Sequence, residues 1–217
     1  MKIALILIAG LAVAGTIGLL VFVYVVQNVE TPDYAVVTKD GDFEIRDYPP
    51  LVVAEVTMAG GRQRSLSNGF GPLARYIFAK ERSGDHIAMT APVQQRAVRP
   101  DEKIAMTAPV TQTPAADGAW TVQFIMPSDY RLEDLPAPGN ALVRLDEIPA
   151  RRVATVRFSG RTNDRAIAEQ QAQLEDWLAS RELSPIGEPI YAYYNDPFTP
   201  GPLRRNEVML EVEGTET

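Results

Sequence analysis

The side chains able to do chemistry in this sequence are few, and they gather around one repeated phrase. The heptapeptide Ile-Ala-Met-Thr-Ala-Pro-Val occurs twice, from Ile87 and again from Ile104, seventeen residues apart. His86, the only histidine in the chain, stands directly before the first copy. An imidazole and two of the chain's six thioethers, Met89 and Met106, are therefore the nitrogen and sulfur donors that this phrase and its neighbour offer to a metal ion. Cysteine is absent, so thiolate ligation and disulfides are excluded. Catalysis finds little footing. A Ser-His-Asp arrangement would have to use His86, and no nucleophile elbow, phosphate loop or dinucleotide-binding glycine pattern occurs. No cluster of histidine and carboxylates has zinc spacing. Asp129, Glu133, Asp134, Asp146 and Glu147 fall in predicted turns and at exposed strand positions. The residues point to a binding protein rather than an enzyme.

The repeated phrase needs elements to hold it. In an extended chain Ile87, Met89, Ala91 and Val93 share one face, as do Ile104, Met106, Ala108 and Val110. The sequence predicts two adjacent strands presenting the same Ile–Met pair to one apolar space, either a filled core or the wall of a pocket. Pro92 and Pro109 cannot donate to a ladder, so each belongs at an edge or a strand end.

Before this region, residues 34–48 read as a hairpin around Asp40-Gly41, and Pro49-Pro50 break it ahead of a strand from Leu51 to Gly60. Leu66, Phe70, Leu73 and Ile77 then recur at helical spacing, with Gly69, Gly71 and Pro72 predicting a kink or a helix that begins at Pro72. Beyond the repeat, strands are expected at 121–127, 141–149 and 151–160. A helix capped by Asn163 follows, and two closing strands come after it. Proline, a Val-rich strand, glycine and a helix occur in the same order from Pro49 and from Pro149. The expected architecture is an α+β domain of two β-α-β-β halves, an antiparallel sheet with two packed helices.

An appendage precedes the domain. Ile3–Val26 is twenty-four residues without a charge. At the helical rise it would run about 36 Å, enough to cross a hydrocarbon core of roughly 30 Å. Residues 1–27 are expected to be a transmembrane anchor, 28–33 a linker, 34–213 the folded domain and 214–217 a tail. Lys2 lies before the span, and no basic residue follows it until Lys39. The positive-inside bias then places the domain outside the cytoplasm, which in a bacterium is the periplasmic side of the inner membrane. The net charge of −7 makes a poor partner for nucleic acid.

Tyr76-Ile77-Phe78, the repeated phrase, Phe124-Ile125-Met126-Pro127, Tyr194–Pro197 and Arg204–Glu207 occur in an order that resembles the SOUL haem-binding protein family, from about Tyr34 to Val212. The resemblance implies a distorted antiparallel β-barrel with two helices, built from two related halves, and non-covalent binding of haem or another tetrapyrrole. It places Leu66, Phe70 and Leu73 along the pocket, with Arg64 and Arg75 as cations for the propionates. Met89 and Met106 are counted as further cofactor contacts through their thioethers; His86 matches no ligand position that the resemblance transfers, and reads as a surface histidine or else as an axial ligand to iron. The sequence departs from the simplest family pattern in its second IAMTAPV copy, as a tandem duplication would produce. Two other readings keep the fold and drop the haem: a small-molecule effector-binding domain, and an interaction module with a protein partner in a membrane complex.

The apolar run yields a direct test. Full-length protein should remain in membranes after carbonate washing, with its N-terminus intact by mass spectrometry. A mature N-terminus at Gly15 would instead identify a cleaved signal peptide.

Overall fold

A computed structural model of the chain describes residues 15, 18, 29–98, 118–196 and 199–213. Nine strands form one antiparallel sheet: β1 (Ala35–Asp40), β2 (Phe43–Tyr48), β3 (Leu51–Ala59), β4 (Val93–Ala97), β5 (Ala119–Ile125), β6 (Arg144–Ile148), β7 (Arg151–Phe158), β8 (Pro185–Tyr193) and β9 (Asn206–Val212). Helix α1 (Arg62–Ile77) lies between β3 and β4, and α2 (Asp164–Ala179) between β7 and β8. Across the sheet the order is β1-β2-β7-β9-β8-β4-β5-β3-β6. The expected hairpin is β1 and β2, turned at Gly41, whose φ of +60° suits a residue without Cβ.

The order reveals a twofold. Exchanging β2 with β6, β3 with β7, β4 with β8 and β5 with β9 maps each neighbouring pair from β2 to β6 onto another and the central β4–β8 pair onto itself, with β1 left over. The twofold axis passes between Gln95 and Tyr191. Each half is thus β-β-α-β-β, one strand more than the sequence pattern suggested. The added first strand, β2 or β6, pairs with the other half.

The sheet is open, which corrects the expected barrel. Only two residues, Pro49-Pro50, join β2 to β3, although these stand second and eighth in the sheet. Pro149-Ala150 likewise join β6 to β7, ninth and third. Both connections turn a corner instead of making a hairpin, so the two wings are drawn face to face without a ladder between them. The exposed edges, β1 with Lys39 and β6 with Arg144 and Glu147, carry the charge that discourages further pairing.

Alternation along the strands divides the core into layers. Val122, Phe124 and Met126 with Ala54 and Val56 pack under α1. Ala154, Val156, Val208 and Leu210 pack under Leu174 and Leu178 of α2. The opposite face supplies Val53, Ile125, Val153, Ile190 and Met209, which meet between the wings. Asn163 caps α2, its Oδ1 accepting from the Ala166 N–H at 2.8 Å, as predicted. Helix α1 starts ten residues earlier than the Pro72 start that the sequence allowed. The cause is Gly69, where a Cβ would come within 2.9 Å of the Val122 side chain; its absence seats the helix against β5 and β3. Arg62, largely buried, donates to Asp164 Oδ1 at 2.8 Å, to Tyr193 OH at 2.6 Å and to the Thr162 carbonyl at 2.6 Å, tying together the starts of both helices.

The first IAMTAPV copy is not a strand up to Pro92. The Ile87 N–H donates to the Ile77 carbonyl at 2.8 Å, and the Ala91 N–H to the Glu30 carbonyl at 2.8 Å. Thr90 Oγ1 donates to the Ile125 carbonyl. These partners take the groups a ladder would use, so the segment spans from α1 to β4 as an irregular brace. Ile87 enters the core, while Met89 remains 37% exposed. Glu30 also accepts from the Ser128 N–H through Oε1 at 2.8 Å, so the domain is clasped from residue 30 onward. The second copy lies outside the described residues, as does Ile3–Val26 apart from Gly15 and Gly18. Among the described residues no helix is long and apolar enough to cross a membrane.

Between the wings, near β1, lies a buried ion pair. Arg46 Nη1 and Nη2 donate to Glu207 Oε2 and Oε1 at 2.9 and 3.1 Å, and Arg46 Nε donates to Glu44 at 2.7 Å. Tyr194 OH and Arg205 also donate to Glu207, at 2.7 and 2.8 Å. The Tyr34 ring covers the Arg46 guanidinium at 4.4 Å. Burial alone would raise the Glu207 pKa, but the hydrogen bonds and charge of Arg46, with Arg205 and Tyr194, hold it below the ordinary glutamate value.

Glu207→Ala strands a buried cation and should lower unfolding free energy by about 3–5 kcal/mol in urea titrations. A depressed carboxyl contributes stability above its unfolded pKa and loses it as pH falls through the folded value. Wild-type stability should therefore decline below about pH 4.5, and the decline should be shallower in Glu207→Gln. Val98 and Ala119 already hydrogen-bond across the ends of β4 and β5. Replacing residues 99–117 by a short Asn-Gly turn should leave the domain folded, whereas Ile87→Ala should cost about 2–5 kcal/mol.

Candidate functional site

One flank of α1 differs from the rest of the helix. Leu73 is fully buried among Tyr76, Ile77 and Val122. Leu66, Phe70 and Phe78 follow at multiples of four residues and drift from the buried face toward solvent. Leu66 is half-buried, while Phe70 and Phe78 are 40% and 38% exposed. Phe70 rests edge-on against Phe124 at 5.2 Å between ring centres, and Phe124 faces Val93 in the ladder. The brace from Ile87 to Val93 begins beside Ile77 and ends beside Phe124. Its Met89 is likewise an exposed apolar side chain.

The loop that starts the brace is held firmly. Arg82 donates to the Tyr76 carbonyl at 2.8 Å and the Asp85 carbonyl at 2.8 Å, closing the C-terminal end of α1. His86 follows, exposed, with its ring edge-on to Phe78 at 6.1 Å. Arg75 lies in the last turn of α1 and donates to Glu81 at 2.6 Å, with its side chain 47% exposed. An exposed pair of this kind is worth about 0–1 kcal/mol, so an anionic group can take the place of Glu81 at small cost. Asn140 donates to the other Glu81 oxygen at 3.0 Å. Arg64 is exposed near the other end of the helix.

The structure thus brings His86 to Phe78 at the end of α1, with Phe70 and Arg75 on that helix and Met89 on the brace that follows. Leu73 is placed in the core beneath the α1 edge, and Met106 lies outside the described residues. Phe78 and Glu81 belong to the edge and escaped the sequence reading. Extending the four-residue spacing of Leu66 and Phe70 by two steps would have reached Phe78; Glu81 left no signal before α1 was known to end at Ile77. Among the described residues no group of three or more His, Asp or Glu could hold a metal ion by itself.

Residues 29–211 match the SOUL heme-binding protein family, and the chain belongs to that family. No curated protein matches the sequence. Among solved structures the EcmrR C-terminal domain is similar, with a TM-score of 0.56 at 13% identity, covering 83% of this chain and 98% of that one. EcmrR in its DNA complex gives 0.54 at 12% identity, covering 79% of this chain and 57% of that one. A structure described as a hydrolase from Listeria innocua gives 0.52 at 13% identity, covering 82% and 94%. At these identities the likeness is one of fold.

The residues present fit haem in a particular way. Phe70, Phe78 and Met89 offer apolar surface, His86 an imidazole, and Arg75 a guanidinium that can be released. They suit a ring laid against an edge more than one enclosed in a pocket, because Leu73 and Ile77 fill the space beneath.

Proposed function

We propose that the protein binds haem or a related tetrapyrrole reversibly on the α1 edge while its N-terminal span holds it at the membrane. The family match over residues 29–211 carries the reading. The half-exposed Phe70, Phe78 and Met89 beside the chain's only histidine support its placement. The ring would lie on the two phenylalanines and the thioether, with a propionate exchanging for Glu81 on Arg75 and the His86 imidazole within reach of iron. With no cysteine in the chain, attachment is non-covalent. The uncharged Ile3–Val26 run supports an inner-membrane anchor with the domain on the periplasmic side. Haem supplies its own redox and ligand chemistry; these residues bind and orient it.

Haemin titrated into detergent-solubilised full-length protein should give a saturable Soret change at about one equivalent. Phe70→Asp together with Phe78→Asp should abolish it. Arg75→Glu removes a charge-assisted hydrogen bond of about 1.5–3 kcal/mol, so affinity should fall roughly tenfold to a hundredfold. His86→Ala should shift the Soret band. Wild-type protein with no saturable change would end this reading.

A further inference from the structure

The twofold makes the two interior ends of the sheet comparable residue by residue, and they differ. The ladder registers place Asp146 where the other half has Arg46, Ile148 where it has Tyr48, and Thr121 where it has Glu207. Counting three residues on from the Gln95–Tyr191 pair matches Val98 with Tyr194. At one end the ion pair and its tyrosines fill the interior. At the other, smaller side chains leave a cavity of about 310 Å³. The first end is covered by Tyr34, just ahead of β1. Among the described residues no strand stands in the corresponding place before β6, and exposed Asp146 and Glu147 leave the cavity open there.

The cavity wall holds a guanidinium with unmet capacity. Arg151 Nε is buried and has no acceptor, and the Glu211 carboxylate is no closer than 3.7 Å to Nη1. Burial lowers the Arg151 pKa, the nearby Arg96 charge adds to this, and Glu211 offsets only part. Gln94, the ladder partner of Gln123 on the same face, is 1% exposed, and its Oε1 has no donor. Buried polar groups almost always find partners, so the unmatched Arg151 donor calls for an acceptor. The acid nearest the floor is already engaged: Glu55 accepts from Gln123 at 2.8 Å and lies 3.9 Å from Arg144.

We infer that this cavity binds the oxyanion of a small polar molecule, a carboxylate or phosphate group held by the Arg151 guanidinium beside Arg96. A guanidinium edge suits two oxygens of one group. The volume lies at the lower end of ligand pockets, roughly 300–1,000 Å³, and the walls are polar, so the occupant is small and is not haem. This site is separate from the α1 edge and does not depend on it.

The test uses full-length protein in detergent, labelled with ¹⁵N-arginine, with succinate and inorganic phosphate as probes. The Arg151 Nε–H resonance, identified by its absence in Arg151→Met, should shift saturably. Arg151→Met, which keeps the apolar stem, should weaken probe binding at least tenfold. Val98→Trp, which blocks the cavity and leaves Arg151 in place, should do the same. A response to succinate alone assigns a carboxylate, to phosphate alone a phosphoryl group, and to both a general oxyanion site. Absence of a saturable shift with either probe, an Arg151 shift that survives Val98→Trp, or probe affinity by calorimetry that is unchanged in Arg151→Met, overturns the inference. Haemin titration of Arg151→Met should match wild type, which separates failure here from failure at the α1 edge.

Discussion

Two corners of two residues each impose the shape of this molecule. Pro49-Pro50 and Pro149-Ala150 link strands that lie six positions apart in the same sheet, and such short links leave the sheet no option but to fold over on itself. Proline is well suited to the task, because it fixes φ and has no N–H to leave unpaired at a bend. Once the wings face one another, one surface of every central strand becomes interior and the other is left for the helices. Both helices accordingly pack on the same face, and Arg62 joins their starts close to the twofold axis. The core between the wings is contributed by strands with no hydrogen bonds to one another, such as β3 and β7.

Folding the sheet over creates two interior ends, and the protein treats them differently. One holds Arg46 and Glu207, 2% and 0% exposed at their side chains. Isolated there, each charge would be strongly unfavourable; together, with Glu44, Tyr194 and Arg205 filling the remaining hydrogen-bond positions, they are tolerated. The pair's value lies as much in position as in energy, since Arg46 belongs to β2 and Glu207 to β9, separated by β7. A fork of two hydrogen bonds between non-adjacent strands sets the curvature at that point. The opposite end lacks the pair and keeps its space. An approximate symmetry in the backbone therefore yields one structural end and one accessible end.

Much of the chain was legible from local pattern. Period-two alternation found β5, the Val-rich run between Pro149 and Gly160 found β7, Asp40-Gly41 found the first hairpin, and Asn163 found the start of α2. These signals are local because the strand faces and the cap depend on neighbours a few residues away. Strand partners were not legible: β2 meets β7 across more than a hundred residues, and no short-range pattern encodes that choice. The first IAMTAPV copy misled for a related reason. Its alternation suits a strand, but the Ile77 and Glu30 carbonyls, far away or in the other direction along the chain, claim its N–H groups. The buried charges were hidden too, because Glu44 and Arg46 alternate with Phe43 and Ile45 just as a solvent-facing row would. At the candidate site the helical spacing located Phe70, while the division between core and edge depended on how closely Gly69 lets α1 approach the sheet.

The clasp at Glu30 bears on how the domain would sit at a bilayer. Its carbonyl and carboxylate are fixed to Ala91 and Ser128, leaving Gln27, Asn28 and Val29 between the apolar run and the first anchored residue. Three residues reach at most about 11 Å when extended. A domain on so short a leash could not sample the space around its anchor as one on a flexible linker does. It would stand close to the lipid headgroups with the surface around Ala91 and Ser128 turned toward them. The brace carrying Met89 leads directly into that surface through Ala91.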